Sequence, residues 1–395
     1  YKRQVPQRHE EMAKGKRLDV LPDLTRTKIG INVANPNEAG AMAALAEYDD
    51  MYGVSLFRAE FALAEIGIHP KALFEYDLVK AGKASAEVKA RIEKIREKIE
   101  NRLEGYLDSP TPGFDYYKEK LSSAIARTAS VYKPEQIMIY RTTDFKSNEY
   151  RQLIGGEYYE FDEPNPMLGF RGEGRMIDQE YAELFKWELE AFKIARAKGF
   201  KNIALMLPVV RTPGELKRAL EFLAQNGIRR GDNGLKIGIM IEVPSNIFMQ
   251  YELRRKDGTV TTVNRFLYDD KGQKQVDFMS IGSNDLTQFT LAIGRDNEFL
   301  SKLGYFNEND PAIRKALETV IKVSKRLGVW TGLCGQRPTN DPEFAKLLAS
   351  FGIDSIGVAA GRYKEVVENV KKAEETTKPQ ISGSPFFVID EKASP

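Results

Sequence analysis

Eight short apolar runs recur along the chain: Lys28–Val33, Gly53–Phe57, Gln136–Tyr140, Asn202–Leu207, Leu235–Ile241, Val276–Ile281, Val329–Leu333 and Asp354–Val358. Runs this short, apolar without strict alternation, predict parallel strands buried on both faces. Helical spacing separates them, at about Glu38–Asp49, Ile177–Lys198, Pro213–Gln225 and Arg362–Glu374. A long helical excursion, about Phe61–Tyr132, follows the second strand. Within it Val88, Ile92, Ile95, Ile99 and Leu103 form one apolar stripe among Lys, Arg and Glu. Such a stripe either packs on its own domain or forms a seam between subunits. A Gly- and Pro-containing loop, Phe145–Arg175, follows the third strand, and loops of this length are functional or disordered. A surface hairpin is expected over Lys256–Gln275, with turns at Asp257-Gly258 and Lys271-Gly272. It lies far in sequence from the motifs below and reads as peripheral.

Strands alternating with helices predict an α/β protein, a (β/α)8 TIM barrel with a long helical excursion after strand two. A doubly wound open sheet is the rival on element counting alone. No GxGxxG follows the first strand and no GxxxxGK[ST] occurs, so the nucleotide folds carrying those fingerprints lose support. Residues 1–26, polar and basic with Pro6 and Pro22, read as a linker from upstream domains; 27–374 is the barrel and 375–395 a polar tail.

Composition narrows the function classes. Lys and Arg number 59 against 57 Asp and Glu, and a net charge of +2 gives no whole-chain case for nucleic acid or an acidic membrane. The single cysteine, Cys334, excludes an internal disulfide and a Cys-based zinc site. Two histidines, His9 and His69, leave little for a His-rich metal centre. Apolar runs such as Ile203–Val210 are too short to span a bilayer, and no signal peptide opens the chain. The expectation is a cytoplasmic protein. Because the sequence begins at Tyr1, we expect it to be part of a longer one.

The reactive residues gather at the strand ends. Arg58 follows strand two, Arg141 strand three, Glu242 strand five, Asn284 and Asp285, just after Ser283, strand six, and Cys334 strand seven. In a barrel these ends converge on one mouth, where active sites lie. Each residue alone reads equally as a salt bridge or, for Asn284 and Asp285, a helix cap. Together, Glu242 and Asp285 suit Mg2+, which takes one or two carboxylates and leaves its other positions to substrate and water. Arg58, Arg141, Arg171 and Arg295 offer planar forks for carboxylate or phosphate, so the substrate class is small and anionic. Cys334, between Gly332 and Gly335, is the acid/base candidate, expected to be exposed in the mouth.

Six segments carry a resemblance: RTTDFKSNEY (141–150), LIGGE (153–157), NPMLGFRG (165–172), IEVPSN (241–246), SIGSNDLTQ (280–288) and GLCGQ (332–336). From about Ile29 to Val370 the chain resembles the C-terminal barrel of the phosphoenolpyruvate (PEP)-utilising enzymes. It is most similar to the pyruvate, water dikinase branch, and less to pyruvate, phosphate dikinase and the PEP-protein phosphotransferase enzyme I. The resemblance implies a TIM barrel with Mg2+ on Glu242 and Asp285. It implies phosphoryl and substrate binding by Arg58, Arg141, Arg171, Asn284 and Arg295, with Ser283 beside them, and proton transfer by Cys334. It implies pyruvate and PEP as ligands and the reaction ATP + pyruvate + water to AMP + PEP + phosphate. The phosphohistidine and ATP-grasp domains it calls for have no counterpart motif here: His9 lies in the linker and His69-Pro70 beside the excursion. A homodimer or larger homo-oligomer is expected, and a barrel kept mainly for assembly is the alternative of a different class.

Overall fold

The computed structural model describes residues 26–33, 39–48, 51–254, 258 and 260–376. All but the last residue of the expected linker, the sequence around Asn35-Pro36, the tip of the hairpin including Asp257, and most of the tail lie outside the described residues.

The strands are β1 (Lys28–Val33), β2 (Gly53–Arg58), β3 (Ile137–Arg141), β4 (Ile203–Leu207), β5 (Ile237–Ile241), β6 (Gln250–Arg254), β7 (Val260–Asn264), β8 (Phe278–Ile281), β9 (Trp330–Leu333) and β10 (Ser355–Val358). Eight of them close into a barrel in the order β1-β10-β9-β8-β5-β4-β3-β2, all neighbours parallel. The open-sheet alternative is thereby excluded. Along each strand, side chains alternate between two cores. Leu56, Ile139, Ala204, Met206, Met240 and Phe278 fill the barrel interior. Their neighbours, among them Phe57, Met138, Leu205, Ile239 and Met279, face the helices. Gly238 pairs with Phe278 across β5 and β8, and a side chain there would run into the Phe278 ring. Tyr52 stacks on Trp330 with centroids 5.2 Å apart, closing the end of the barrel where the strands begin.

The helices named below are α1 (Ala39–Ala46), α2 (Ala59–Ile66), α3 (Pro70–Lys80), α4 (Ala86–Arg102), α5 (Pro112–Ala129), α6 (Ala182–Ala197), α7 (Pro213–Gln225), α8 (Ser283–Leu291), α9 (Pro311–Arg326), α10 (Pro342–Phe351) and α11 (Tyr363–Thr376). Several start the same way: His69, Thr212, Asp310 and Asp341 accept a first-turn amide, and proline follows at once. The excursion comprises α2 to α5. In the stripe on α4, Ile92, Ile95, Ile99 and Leu103 are buried within this chain, so the own-domain reading holds. No helix among the described residues is long and apolar enough to cross a membrane.

Two expectations change. The hairpin begins at Gln250, before the expected Lys256, with β6 antiparallel to β7. Polar Gln250–Arg254 gives no apolar signal in sequence. Nor is the hairpin peripheral: Asn264 donates to the Asn246 carbonyl at 2.7 Å, inside the IEVPSN segment. Asn246 in turn accepts the Glu242 and Val243 amides and donates to the Val210 carbonyl. The long loop is ordered by short helical turns at Ser147–Tyr150, Gly156–Tyr158, Pro166–Leu168 and Glu173–Met176.

Candidate active site

Asp285 is the hub of the mouth. Gly282 takes the N-cap position of α8 and makes no side-chain cap bond, so the helix-cap reading of Asn284 and Asp285 fails. The Asp285 carboxylate turns instead to two arginines. Arg171 Nη2 reaches Oδ2 at 2.8 Å and Arg295 Nη1 reaches Oδ1 at 3.0 Å. Arg171 also grips Asp144, Nε to Oδ1 at 2.8 Å and Nη2 to Oδ2 at 2.5 Å. Arg141 Nη1 also approaches Asp144 Oδ2, at 3.7 Å, while Arg141 Nη2 bonds Glu60 at 2.7 Å. Glu60 also takes the Asp144 amide at 2.6 Å. The result is an alternating row, Glu60–Arg141–Asp144–Arg171–Asp285–Arg295, mostly buried, with Arg295 the most open member.

Burial favours the neutral carboxyl, and the arginines oppose it. At Asp144 burial is outweighed by Arg171 and then Arg141, which hold the carboxyl below its ordinary range. At Glu242 the balance reverses. Burial, then the charges of Asp285 and Asp144, push it up to about 8 despite Arg141 and Arg171. Glu242 Oε1 accepts the Val209 amide at 2.7 Å. Its Oε2 lies over Gly282, where an added Cβ would come within 3.0 Å. A carboxyl pushed up by burial and then by two neighbouring carboxylates is the environment a divalent cation relieves. Among the described residues no group of three or more His, Cys, Asp and Glu converges as a metal site. Two carboxylates from neighbouring strand ends are the donor set a hard cation takes when its remaining ligands come from substrate and water.

Cys334 corrects an expectation. It is 4% exposed and packs with Met240 and Phe278 in the barrel interior. Its sulfur faces the Ile281 carbonyl at 3.6 Å. Burial pushes the thiol up, opposed by a hydrogen bond from Ser280 and by Arg58 and Arg141. Flanking glycines do not by themselves expose a residue: Gly335 leaves room for Ser283, whose Oγ would clash with a side chain there. Arg58 makes no ion pair among the described residues; burial, then Arg141, lower its pKa. Its charge reaches Cys334 and Arg295. Ser283 is fully buried, its hydroxyl against Gly335, and Asn284 is half-buried on the first turn of α8.

Glu60 and Asp144 hold the row together, yet spacing alone does not single them out. The available signal is a carboxylate at a barrel-strand end facing an arginine on the next strand.

Residues 8–375 match the family described as PEP-utilising enzyme, PEP-binding domain. The phosphoenolpyruvate synthase of Pseudomonas aeruginosa is 39% identical over 343 residues, 86% of this chain and 38% of that protein. That of Deinococcus radiodurans is 40% identical over 343 residues, again 86% and 38%. That of Aeropyrum pernix is 36% identical over 360 residues, 90% of this chain and 36% of that protein. A solved malate synthase from Haloferax volcanii aligns with 95% of this chain and 75% of its own at 14% identity and a TM-score of 0.42. That likeness is too remote to bear on function. The chain spans under two fifths of the length of these three synthases. With nearly its whole length matched by that one domain, the chain belongs to the PEP-utilising enzyme family as its PEP-binding domain.

Proposed function

We propose that this barrel carries the pyruvate/PEP half-reaction of a phosphoenolpyruvate synthase, ATP + pyruvate + water to AMP + PEP + phosphate. The phosphoryl group would arrive on a phosphohistidine from another part of the full-length protein, charged at an ATP-grasp domain. The observation that carries the reading is Asp285, bonded to the Arg171 and Arg295 forks beside the buried Glu242 carboxyl. In this reading Glu242 and Asp285 hold Mg2+. When bound, Mg2+ stabilises negative charge developing on the pyruvate oxygen.

The chain's own residues do the rest. Arg171 and Arg295, which hold the Asp285 carboxylate, are the forks that would take the substrate's carboxylate and phosphoryl oxygens. Arg58 and Arg141 flank the same space and neutralise the phosphoryl group in transit. The Cys334 thiolate takes a proton from the pyruvate methyl group. The enolate oxygen then forms its bond to phosphorus as the phosphorus–nitrogen bond of the carrier breaks. In reverse, the thiol returns the proton to the same carbon. Asn284 binds substrate beside the metal.

Calorimetry with oxalate, a planar mimic of the enolate, tests this. Mg2+-dependent oxalate binding should be abolished in Glu242→Ala and in Asp285→Ala. Undiminished binding in both variants places the metal elsewhere and removes the basis of the proposal.

A further inference from the structure

Arg171 stands on neither a helix nor a strand, but on the irregular turn Gly169–Gly172 just before the short helix Glu173–Met176. Something else must aim it. Gly172 adopts φ 58, and an added Cβ would press on Val209 at 2.9 Å and on the Pro208 carbonyl at 3.0 Å. Only glycine tolerates both conditions there. The Phe170 amide donates to Glu163 Oε1 at 2.8 Å, while Glu163 also accepts the Ser147 hydroxyl. Gly169 leaves room for that carboxylate.

The other side of Phe170 is held by a buried ionic group that the proposed reaction does not use. Arg175 is 1% exposed. Its Nε donates to the Phe170 carbonyl at 2.6 Å. Its Nη1 and Nη2 meet Glu160 Oε1 and Oε2 at 2.8 and 2.6 Å. Tyr150, Phe170 and Tyr181 surround the guanidinium, with ring centroids 4.7, 4.7 and 5.0 Å away. Glu160 also faces His69 Nε2 at 3.1 Å. Because His69 Nδ1 accepts the Lys71 amide, Nε2 carries the proton and donates it to Glu160. His69 caps α3, and its amide bonds the Ile154 carbonyl, so the group is anchored to the excursion.

A wholly buried ionic group is a weak source of stability, since well-packed apolar side chains often serve as well. What a guanidinium adds is direction: one rigid plane satisfying a carboxylate and a backbone carbonyl together. We propose that Arg175, itself aimed by Glu160 and His69, is a positioning residue for Arg171. It fixes the Phe170 carbonyl, and so the turn from which the Arg171 fork reaches Asp144 and Asp285. The inference rests on the reading that Arg171 contacts the phosphoryl-bearing ligand.

The test is a double-mutant cycle on this chain, with PEP and Mg2+ as the calorimetric probe and thermal unfolding measured in parallel. Arg175→Lys keeps the charge but loses the rigid plane that bonds both Glu160 oxygens and the Phe170 carbonyl in fixed directions. It should weaken PEP binding about tenfold or more, the loss of one charge-assisted bond's worth of placement. Arg171→Met should weaken PEP binding by itself, and adding Arg175→Lys to it should bring no further loss. The fall in Tm caused by Arg175→Lys should be the same in both backgrounds. A purely structural Arg175 would lower affinity equally in both, and that additivity overturns the proposal, as does unchanged PEP binding in Arg175→Lys. If Arg171→Met binds PEP normally, the role of Arg171 itself is wrong, and the inference falls with it for that separate reason. Should Arg175→Lys fail to fold, Glu160→Gln, which keeps an acceptor for Arg175 and removes the charge, must show the same non-additive pattern with Arg171→Met.

Discussion

In the proposed reaction Cys334 is the base; it is buried and feels the charges of Arg58 and Arg141 but holds neither the metal nor the anionic groups, and that separates binding from proton transfer. Cys334→Ala removes no contact to Glu242, Asp285 or the arginine forks, so Mg2+ and oxalate should bind nearly as to the unaltered chain. The exchange of pyruvate methyl protons with deuterated solvent, followed by NMR with Mg2+ and inorganic phosphate present, should instead fall to the buffer rate. In the unaltered chain exchange should rise with pH, because the thiolate is the base and burial raises its pKa. Persistent exchange in the alanine variant would assign the proton to another group. Arg141 makes a different prediction. It bonds Glu60 through Nη2, and its buried Nε has no partner in the described structure. Lysine keeps the charge but not the fork. Arg141→Lys should therefore weaken PEP binding by on the order of 1.5–3 kcal/mol while sparing pyruvate. Equal losses for both ligands would deny Arg141 a phosphoryl contact.

At the scale of elements, burial decides what a sequence reveals. Barrel strands are apolar on both faces, so each run marks its strand to within two residues: β1 coincides with Lys28–Val33, while β5 starts at Ile237 where the run starts at Leu235. The strand-end residues are legible for the same reason, since a polar residue closing a buried strand has only the mouth to face. Arg171 is different, because its loop has no period: its side-chain chemistry makes it a candidate, and the resemblance of NPMLGFRG is what places it in the site. The exposure of Cys334 is not legible at all: it depends on Met240 and Phe278, contributed by other strands. Nor is the hairpin's tie to Glu242, which runs through Asn264 and Asn246 across separate elements. The α4 stripe yields a test of its packing. Ile99 is fully buried inside the chain, so Ile99→Ala should destabilise by about 2–5 kcal/mol, read by denaturant unfolding. The loss should not depend on protein concentration. A loss that shrinks as concentration rises would return the stripe to a seam between subunits.

At the scale of the whole molecule, the barrel and excursion meet over buried carboxyls, and this should appear in the pH dependence of stability. Glu188 on α6 is 2% exposed and accepts the Tyr140 hydroxyl at 2.8 Å and the Thr143 amide at 2.9 Å. It therefore supports the strand end that leads into Asp144. Burial pushes its carboxyl up to about 7 from an ordinary 4.5, against the pull of those hydrogen bonds. The sign follows from proton counting. Between about 4.5 and 7 the folded chain holds a proton on Glu188 that the unfolded chain has released. Folded protein binding more protons means that unfolding free energy falls as pH rises. The Glu188 contribution is thus greatest below 4.5 and declines through that window, by on the order of 3 kcal/mol in all. Asp144 and Glu160, held low by Arg171 and by His69 and Arg175 respectively, act in the opposite sense: their contribution is lost as pH falls. A variant that cannot titrate at position 188 separates the two trends. Glu188→Gln keeps an acceptor for Tyr140 and Thr143 but has no proton to lose. Measured by urea unfolding from pH 5 to 8.5, its stability relative to the unaltered chain should improve as pH rises to about 7 and level off above it. A constant difference across that range would mean that Glu188 is already ionised in the folded barrel, and that Tyr140 and Thr143 outweigh its burial.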